Sequence, residues 1–160
     1  MLKKVKKQRS TILRVYLASD HGGFELKRKI ISFLKKNKKY YLKDLGPFSY
    51  DPADDYPDYA IPLAKSVARD TNSLGIVLCK NGQGVCIAVN KVKGIQGVTG
   101  FSKEMVASTR ADDHANVLCL PANYISEKEA KAIVMLFLKT PFSGAARHLR
   151  RLSKVRKLER

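Results

Sequence analysis

One short stretch of the chain combines residue types that can bind an anion and move a proton. The segment from Leu74 to Lys91 reads LGIVLCKNGQGVCIAVNK. Its first six residues form an apolar run that is too short for a typical helix, which indicates a buried strand. Two glycines, Gly82 and Gly84, then interrupt the pattern before apolar residues return at helical spacing from Val85. The segment therefore predicts a strand, a tight glycine loop and a helix.

The predicted loop is suited to a negatively charged ligand. In an open α/β sheet, such a loop lies at the carboxyl end of a strand, where ligands bind. Gly82 and Gly84 allow the backbone to approach a ligand closely. The free N–H groups at the start of the helix favour an anion or a developing oxyanion. The glycine spacing is not that of a nucleotide-binding P-loop, so the pattern alone does not specify the ligand.

Cys79, the last residue of the predicted strand, could act as a base or a nucleophile at this loop. A helix N-terminus and the neighbouring Lys80 both favour the thiolate form of a cysteine. The alternative interpretation is that Cys79 is a small buried apolar residue. A second pair, Asp20 and His21, follows the first predicted strand and is therefore expected at the same edge of the sheet. Asp20 could equally serve only as a helix cap.

Composition limits the class of protein. The chain has 160 residues, which fits one domain with a hydrophobic core. Its three cysteines are scattered in apolar runs, which favours reduced thiols and a cytoplasmic location over a disulfide framework. No cysteine–histidine cluster has the spacing of a zinc site. No segment is apolar enough to span a membrane, and the basic N-terminus lacks the apolar core of a signal peptide.

The formal net charge of +17 is concentrated at the two ends of the chain. Such charge could attract nucleic acid or phosphorylated metabolites, or could reflect only a lysine-rich proteome. No basic strand with interleaved aromatic residues and no known nucleic-acid motif accompanies it, so nucleic-acid binding is the weaker interpretation. We expect a basic N-terminal extension over 1–13 and a single domain over 14–160 that ends in a basic helix.

The order of apolar and polar residues predicts alternating strands and helices. Predicted strands cover 12–18, 40–45, 74–79, 96–99 and 116–120, and predicted helices cover 24–36, 60–70, 102–110, 126–138 and 145–158, with a further helix from Val85. Ser126 and Glu129 have the spacing of a capping box. This alternation is typical of a parallel sheet that is covered by helices on both faces.

Five blocks of the chain, in unbroken order, resemble type B ribose-5-phosphate isomerases. The blocks are ASDHGGFELK from Ala18, DYPDYA from Asp55, CKNGQGVCIAVNKVKGIQG from Cys79, NVLCL from Asn116, and GAARH from Gly144 with Arg151 after it. Five ordered blocks that span nearly the whole chain are far more specific than any one motif. The galactose-6-phosphate isomerase subunits share the fold and are the competing family.

The resemblance implies a Rossmann-like three-layer α/β/α sandwich with a five-stranded parallel sheet. It also implies an aldose–ketose isomerase that needs neither a metal nor another cofactor and acts on a small sugar phosphate. The chemistry would be proton transfer between adjacent carbons through an enediolate, which requires a positioned base and groups that stabilise an oxyanion. The assembly would be a homodimer, often paired into tetramers, with active sites between subunits.

The resemblance also implies roles for individual residues. Cys79 falls on the base that moves the proton. Asp20 and His21 fall on the pair that contacts the sugar ring and the phosphate. Arg147 and Arg151 fall on two phosphate-binding arginines from the partner subunit, a role that suits the forked donors of a guanidinium group. From the residues alone, both arginines could be further cations on a basic helix.

Several residues depart from the family pattern at the predicted site. Lys80 and Asn81 stand where the family usually has a glycine and a hydroxyl residue. Asn81 could donate a hydrogen bond from its amide in place of the hydroxyl group. Lys80 could favour the thiolate of Cys79 or obstruct the sugar. Gln96 and Asn123 stand where arginines are common, and the arginine replaced by Asn123 often helps to hold the phosphate in the family.

The histidine that opens the sugar ring in the family is replaced by Asp112, and the amide residue after it by Asp113. Asp112 could serve as the ring-opening acid and base. Asp113 would lie against the substrate and, if ionised, would repel an enediolate. His114 lies two positions later than the family histidine.

These features favour an isomerase of ribose 5-phosphate and ribulose 5-phosphate, with three alternatives. The altered loop and the Asp112–Asp113–His114 run would also fit an isomerase of another sugar phosphate, such as an allose or galactose 6-phosphate. The replaced histidine and arginines would fit a non-catalytic partner subunit or binding module. Nucleic-acid binding rests on charge alone.

Overall fold

Strands and helices alternate along the chain in a computed structural model that describes residues 12–159. The strands are β1 (Leu13–Ser19), β2 (Tyr40–Asp44), β3 (Ser73–Cys79), β4 (Gly97–Thr99) and β5 (Val117–Pro121). The helices are α1 (Phe24–Lys35), α2 (Pro57–Arg69), α3 (Gln83–Val89), α4 (Lys103–Asp113), α5 (Glu127–Lys139) and α6 (Ala146–Arg156), and a 3₁₀ turn (His21–Gly23) precedes α1. All strands are parallel and lie in the order β2-β1-β3-β5-β4.

Both faces of the sheet are covered, because successive side chains of each strand point into two different buried clusters. In β3, Ile76 and Leu78 join one cluster with residues of α1, α4 and α5. Val77 and Cys79 join the other cluster with residues of α2 and α3. Every residue of β3 is buried, as expected for a central strand of a parallel sheet. The predicted three-layer α/β/α fold with five parallel strands is confirmed.

A topological switch point lies between β1 and β3. The second strand of the sequence lies on one side of β1, whereas the third lies on its other side. Ser19 at the end of β1 is in register with Leu78 near the end of β3, so the two strands end side by side. In folds of this type, ligands bind at the switch point, in the crevice at the carboxyl edge of the sheet.

The start of α2 differs from the prediction. The helix begins at Pro57 rather than at Ala60. A proline is well accommodated in the first turn, because its missing N–H group has no partner there in any helix. The predicted capping box is confirmed: Ser126 and Glu129 bond to each other's backbone N–H groups at the start of α5.

The end of α4 also differs from the prediction. The helix continues to Asp113, so Asp112 and Asp113, which we expected in a connecting loop, belong to its last turn. It stops at His114, whose φ of 54° is left-handed. The N–H group of Ala115 then donates to the carbonyl of Thr109 at 3.2 Å. Helices commonly end at a residue in this left-handed conformation.

The ends of the chain lie partly outside the described residues. Of the basic extension predicted for 1–13, the structure describes Ile12 and Leu13, and Leu13 already begins β1. Among the helices between residues 12 and 159, none has both the length and the apolar character needed to cross a membrane.

Candidate active site

Cys79 lies at the carboxyl end of β3, beside the crevice. Its residue surface is only 5% exposed. Its Sγ accepts a hydrogen bond from the N–H group of Gly82 at 3.1 Å. The thiol in turn donates to Oδ1 of Asn81 at 3.7 Å, and that oxygen also accepts from the N–H group of Gln83 at 3.0 Å. Because a hydrogen bond to a charged form favours it, the Gly82 N–H group would stabilise a Cys79 thiolate.

The two glycines of the loop are positions of close approach. Gly82 has a left-handed φ of 73°, and a Cβ there would lie 3.1 Å from the backbone nitrogen of Pro121. A Cβ on Gly84 would lie 3.0 Å from the ring of Tyr56. The loop therefore fits tightly between the end of β5 and the start of α2, and both contacts favour a residue without a side chain.

Lys80 joins the loop to its neighbours on both sides. Its carbonyl accepts from the N–H group of Asn123 at 2.9 Å, beyond the end of β5. On the other side, a Cβ on Gly22 would overlap Cγ of Lys80. The stem of Lys80 therefore covers the backbone of the loop after β1, and its side chain forms part of the crevice.

Asp20 serves as the cap of the 3₁₀ turn after β1. Its Oδ1 accepts from the N–H group of Gly23 at 3.1 Å, and its own N–H group donates to the carbonyl of Leu78 at 3.2 Å. Burial raises the pKa of the Asp20 carboxyl group. Asp20 can both cap the turn and lie beside Cys79, because the same turn places Asp20 and His21 at the carboxyl edge of the sheet.

Asp54 is a residue of this crevice that the sequence reasoning missed. Its Oδ1 lies 2.6 Å from Nδ1 of His21 and also accepts from the backbone N–H group of His21 at 3.0 Å. The Asp54 side chain is only 5% exposed, so the pair holds the imidazole firmly. Nε2 is then the ring nitrogen through which His21 could contact a ligand. The available signal was the acidic cluster Asp51, Asp54 and Asp55, within which nothing distinguished Asp54.

Among residues 12–159, the side chains with the spacing of metal ligands are those of Asp20, His21 and Asp54. One ligand atom of each lies within 4.8 Å of the others. Nδ1 of His21 and Oδ1 of Asp54 are already bonded to each other, and Asp20 is bonded to the 3₁₀ turn. Hydrogen bonding explains the arrangement, so we assign no metal to it.

The remaining predicted residues lie at another part of the subunit. Because α4 connects the end of β4 to the start of β5, its last turn lies at the amino edge of the parallel sheet, opposite Cys79. Asp112 and Asp113 are in that turn, and α6, which carries Arg147 and Arg151, packs against α4. One subunit therefore brings together Cys79 and its neighbours, but it does not bring Asp112, Asp113 or the two arginines to them.

A family model described as Ribose/Galactose Isomerase matches residues 15–155 of this chain. The chain therefore belongs to the ribose/galactose isomerase family, which confirms the resemblance seen in the five blocks.

Named relatives agree with this family. The chain is 44% identical over 146 residues to "Probable ribose-5-phosphate isomerase B" of Mycoplasma pneumoniae, covering 91% of this chain and 95% of the relative. It is 40% identical over 148 residues to "Ribose-5-phosphate isomerase B" of Mycobacterium tuberculosis, covering 92% and 91%. The crystal structure of ribose-5-phosphate isomerase B from Mycoplasma genitalium with bound ribulose-5-phosphate matches with a TM-score of 0.88 and 42% identity, covering 92% of this chain and 96% of that one.

Proposed function

We propose that this protein interconverts ribose 5-phosphate and ribulose 5-phosphate. The observation that carries the proposal is the buried thiol of Cys79 at the switch point of the sheet, 3.1 Å from the N–H group of Gly82. The family membership supports the substrate class, because the similar structure from Mycoplasma genitalium holds ribulose-5-phosphate. The free cysteines Cys79, Cys86 and Cys119 fit a reducing compartment such as the cytoplasm.

In the proposed reaction, the Cys79 thiolate removes a proton from the carbon next to the carbonyl group. The carbonyl oxygen becomes the oxyanion of an enediolate, and a proton passes to it from the hydroxyl group on the neighbouring carbon. The protonated thiol then returns its proton to the former carbonyl carbon, and the former hydroxyl oxygen becomes the new carbonyl oxygen. The N–H group of Gly84 and the side-chain amide nitrogen of Asn81 stabilise the oxyanion, whereas the N–H groups of Gly82 and Gln83 are already bonded to Cys79 and Asn81. Asp54 holds His21 in place so that its Nε2 contacts the substrate.

Two copies of the chain together complete the proposed site. Asp112, Arg147 and Arg151 lie away from Cys79 in one subunit, and a symmetric dimer could place them over the partner's crevice. The arginines would bind the phosphate through their forked donors. Asp112 would exchange the proton that opens and closes the sugar ring, with Asp113 beside it.

A second candidate is an isomerase of another aldose phosphate, such as an allose or galactose 6-phosphate. The observation that favours it is the stem of Lys80, which lies against Gly22 and changes the lining of the site beside Cys79. A change of crevice shape next to the base would alter the sugar that fits, while the proton transfer by Cys79 would remain the same.

The test is an assay of purified protein for conversion of ribose 5-phosphate to ribulose 5-phosphate without added metal. Removal of a general base lowers kcat by about 10²–10⁴-fold, so Cys79→Ala should lose at least about 100-fold. Cys119→Ala is the matched control, because Cys119 is a buried thiol on the neighbouring strand. Its kcat should stay within about threefold of the wild-type value, since it is not a base.

Three outcomes would change the proposal. Full activity of Cys79→Ala would remove Cys79 as the base. Turnover of an allose or galactose 6-phosphate but not of ribose 5-phosphate would establish the second candidate. Inactivity of folded protein on every aldose phosphate would indicate a non-catalytic member of the family.

A further inference from the structure

We infer that His148 is a positioning residue that fixes the guanidinium group of Arg147 for binding the substrate phosphate. This inference rests on the proposed function and gives His148 a part in binding the substrate. His148 lies in the first turn of α6 and is only 4% exposed. Arg147 beside it is exposed. His148 can therefore act on the substrate only through a neighbour.

His148 uses both ring nitrogens. Nε of Arg147 donates to Nε2 of His148 at 2.9 Å. Nδ1 of His148 lies 2.8 Å from Oγ of Ser143, in the loop before α6, and 3.6 Å from Oδ1 of Asp112, at the end of α4. Neighbouring residues of a helix do not normally face each other, so the Arg147 side chain must turn back against the ring to make this bond.

The bond to Arg147 determines which nitrogen of His148 carries the proton. A guanidinium group is always protonated in proteins and offers no acceptor. Nε2 must therefore accept, which requires a neutral imidazole with its proton on Nδ1. That Nδ1–H group donates to Oγ of Ser143, and the nearby carboxylate of Asp112 favours the same tautomer. Ser143, His148 and Arg147 thus form one chain of hydrogen bonds with a defined direction.

This chain prepares Arg147 for a phosphate group. With Nε bonded to His148, the two terminal nitrogens of the guanidinium remain for two parallel hydrogen bonds to phosphate oxygens. A free arginine side chain loses rotamer freedom when it binds a ligand, and holding it in place beforehand reduces that loss. His148 therefore affects substrate affinity more than the proton transfer at Cys79.

A matched pair of variants tests this role. In His148→Gln, the longer side chain can place an amide oxygen near the position of Nε2 and still accept from Arg147. In His148→Asn, the shorter side chain reaches only the position of Nδ1. We expect His148→Asn to raise KM for ribose 5-phosphate about tenfold with kcat within about twofold, a change of about 1.4 kcal/mol. His148→Gln should restore KM to within about threefold of the wild-type value.

Arg147→Ala provides the double-mutant cycle. If His148 acts through Arg147, adding His148→Asn to Arg147→Ala should change KM by less than about twofold. Independent effects, in which the two KM increases multiply, would overturn the inference. So would a His148→Asn protein with the KM of the wild type, or one in which only kcat falls.

Nitrogen-15 NMR of histidine-labelled wild-type protein measures the protonation of His148 directly and does not depend on whether a variant folds. The expected spectrum shows His148 neutral, with its proton on Nδ1 and a bare Nε2. A proton on Nε2 would contradict the bond to Arg147 and the inference with it. If the wild type has no isomerase activity, the proposed function fails and the phosphate-binding role fails with it, while the spectrum still decides whether the His148–Arg147 contact exists.

Discussion

Replacing Gly82 by alanine tests whether the geometry of the loop supports the Cys79 thiolate. The left-handed φ of 73° at Gly82 costs a residue with a side chain about 1–2 kcal/mol. The new Cβ would also lie 3.1 Å from the backbone nitrogen of Pro121 and from Cγ2 of Thr99, so neighbouring atoms must shift at a cost of about 1 kcal/mol. We expect the free energy of unfolding to fall by about 2–3 kcal/mol.

The same substitution should lower activity for a separate reason. The shift moves the Gly82 N–H group away from Sγ of Cys79, to which it donates at 3.1 Å. A hydrogen bond to a charged group contributes about 1.5–3 kcal/mol, which corresponds to a factor of about ten to a hundred in a rate constant. We expect kcat/KM for ribose 5-phosphate to fall by the same factor.

Gly94→Ala is the matched control for the cost of placing a side chain at a residue with a left-handed φ. Gly94 has a similar φ of 81°, but a Cβ there meets nothing within 4 Å, and the residue lies between α3 and β4, outside the predicted site. Urea unfolding should show a loss of about 1–2 kcal/mol, whereas the initial rate of isomerisation should match that of the wild type. Wild-type kcat/KM in Gly82→Ala, or an equal loss of activity in both variants, would refute the reasoning.

A buried lysine and a half-buried thiol give two more tests. Lys27 is fully buried and its Nζ donates to Oδ1 of Asp44 at 2.7 Å. In urea unfolding, Lys27→Ala should lower the free energy of unfolding by about 3 kcal/mol, whereas the exposed Lys29→Ala should lower it by under about 0.5 kcal/mol. Equal losses in the two variants would contradict this account. A hydrogen bond from the Cys119 thiol lowers the pKa of Cys86 to about 6. Since the thiolate is the reactive form, iodoacetamide labelling of Cys86 should rise with a midpoint near pH 6, while Cys119, whose pKa burial raises, stays unlabelled. Peptide mass spectrometry measures both, and a midpoint near pH 9 at Cys86 would show that the hydrogen bond is absent.

Local patterns in the sequence predicted most of the fold. The apolar run of β3 and the glycines after it have one conformation that buries the strand and leaves the loop at the sheet edge, so Cys79 was placed correctly from the residues alone. The capping box at Ser126 is equally local, because both partners lie within one turn. The family resemblance came from the same source, since its blocks are short and contiguous.

Contacts between distant segments could not be read from the sequence. Asp54 pairs with His21 across 33 residues, and only the fold distinguishes it from the acidic residues beside it. The extension of α4 through Asp112 and Asp113 depends on the left-handed cap at His114, a conformation that histidine adopts in few places.

The sequence by itself determined the order of the elements, the two-sided burial of the sheet and the position of Cys79, because each follows from periodicity within one segment. Tertiary structure alone decided that Asp54 holds His21, that His148 holds Arg147, and that Asp112 and Arg147 lie away from Cys79 in one subunit. The physical reason is that a hydrogen bond between side chains depends on where two elements meet, and that position is set by the whole core rather than by either segment.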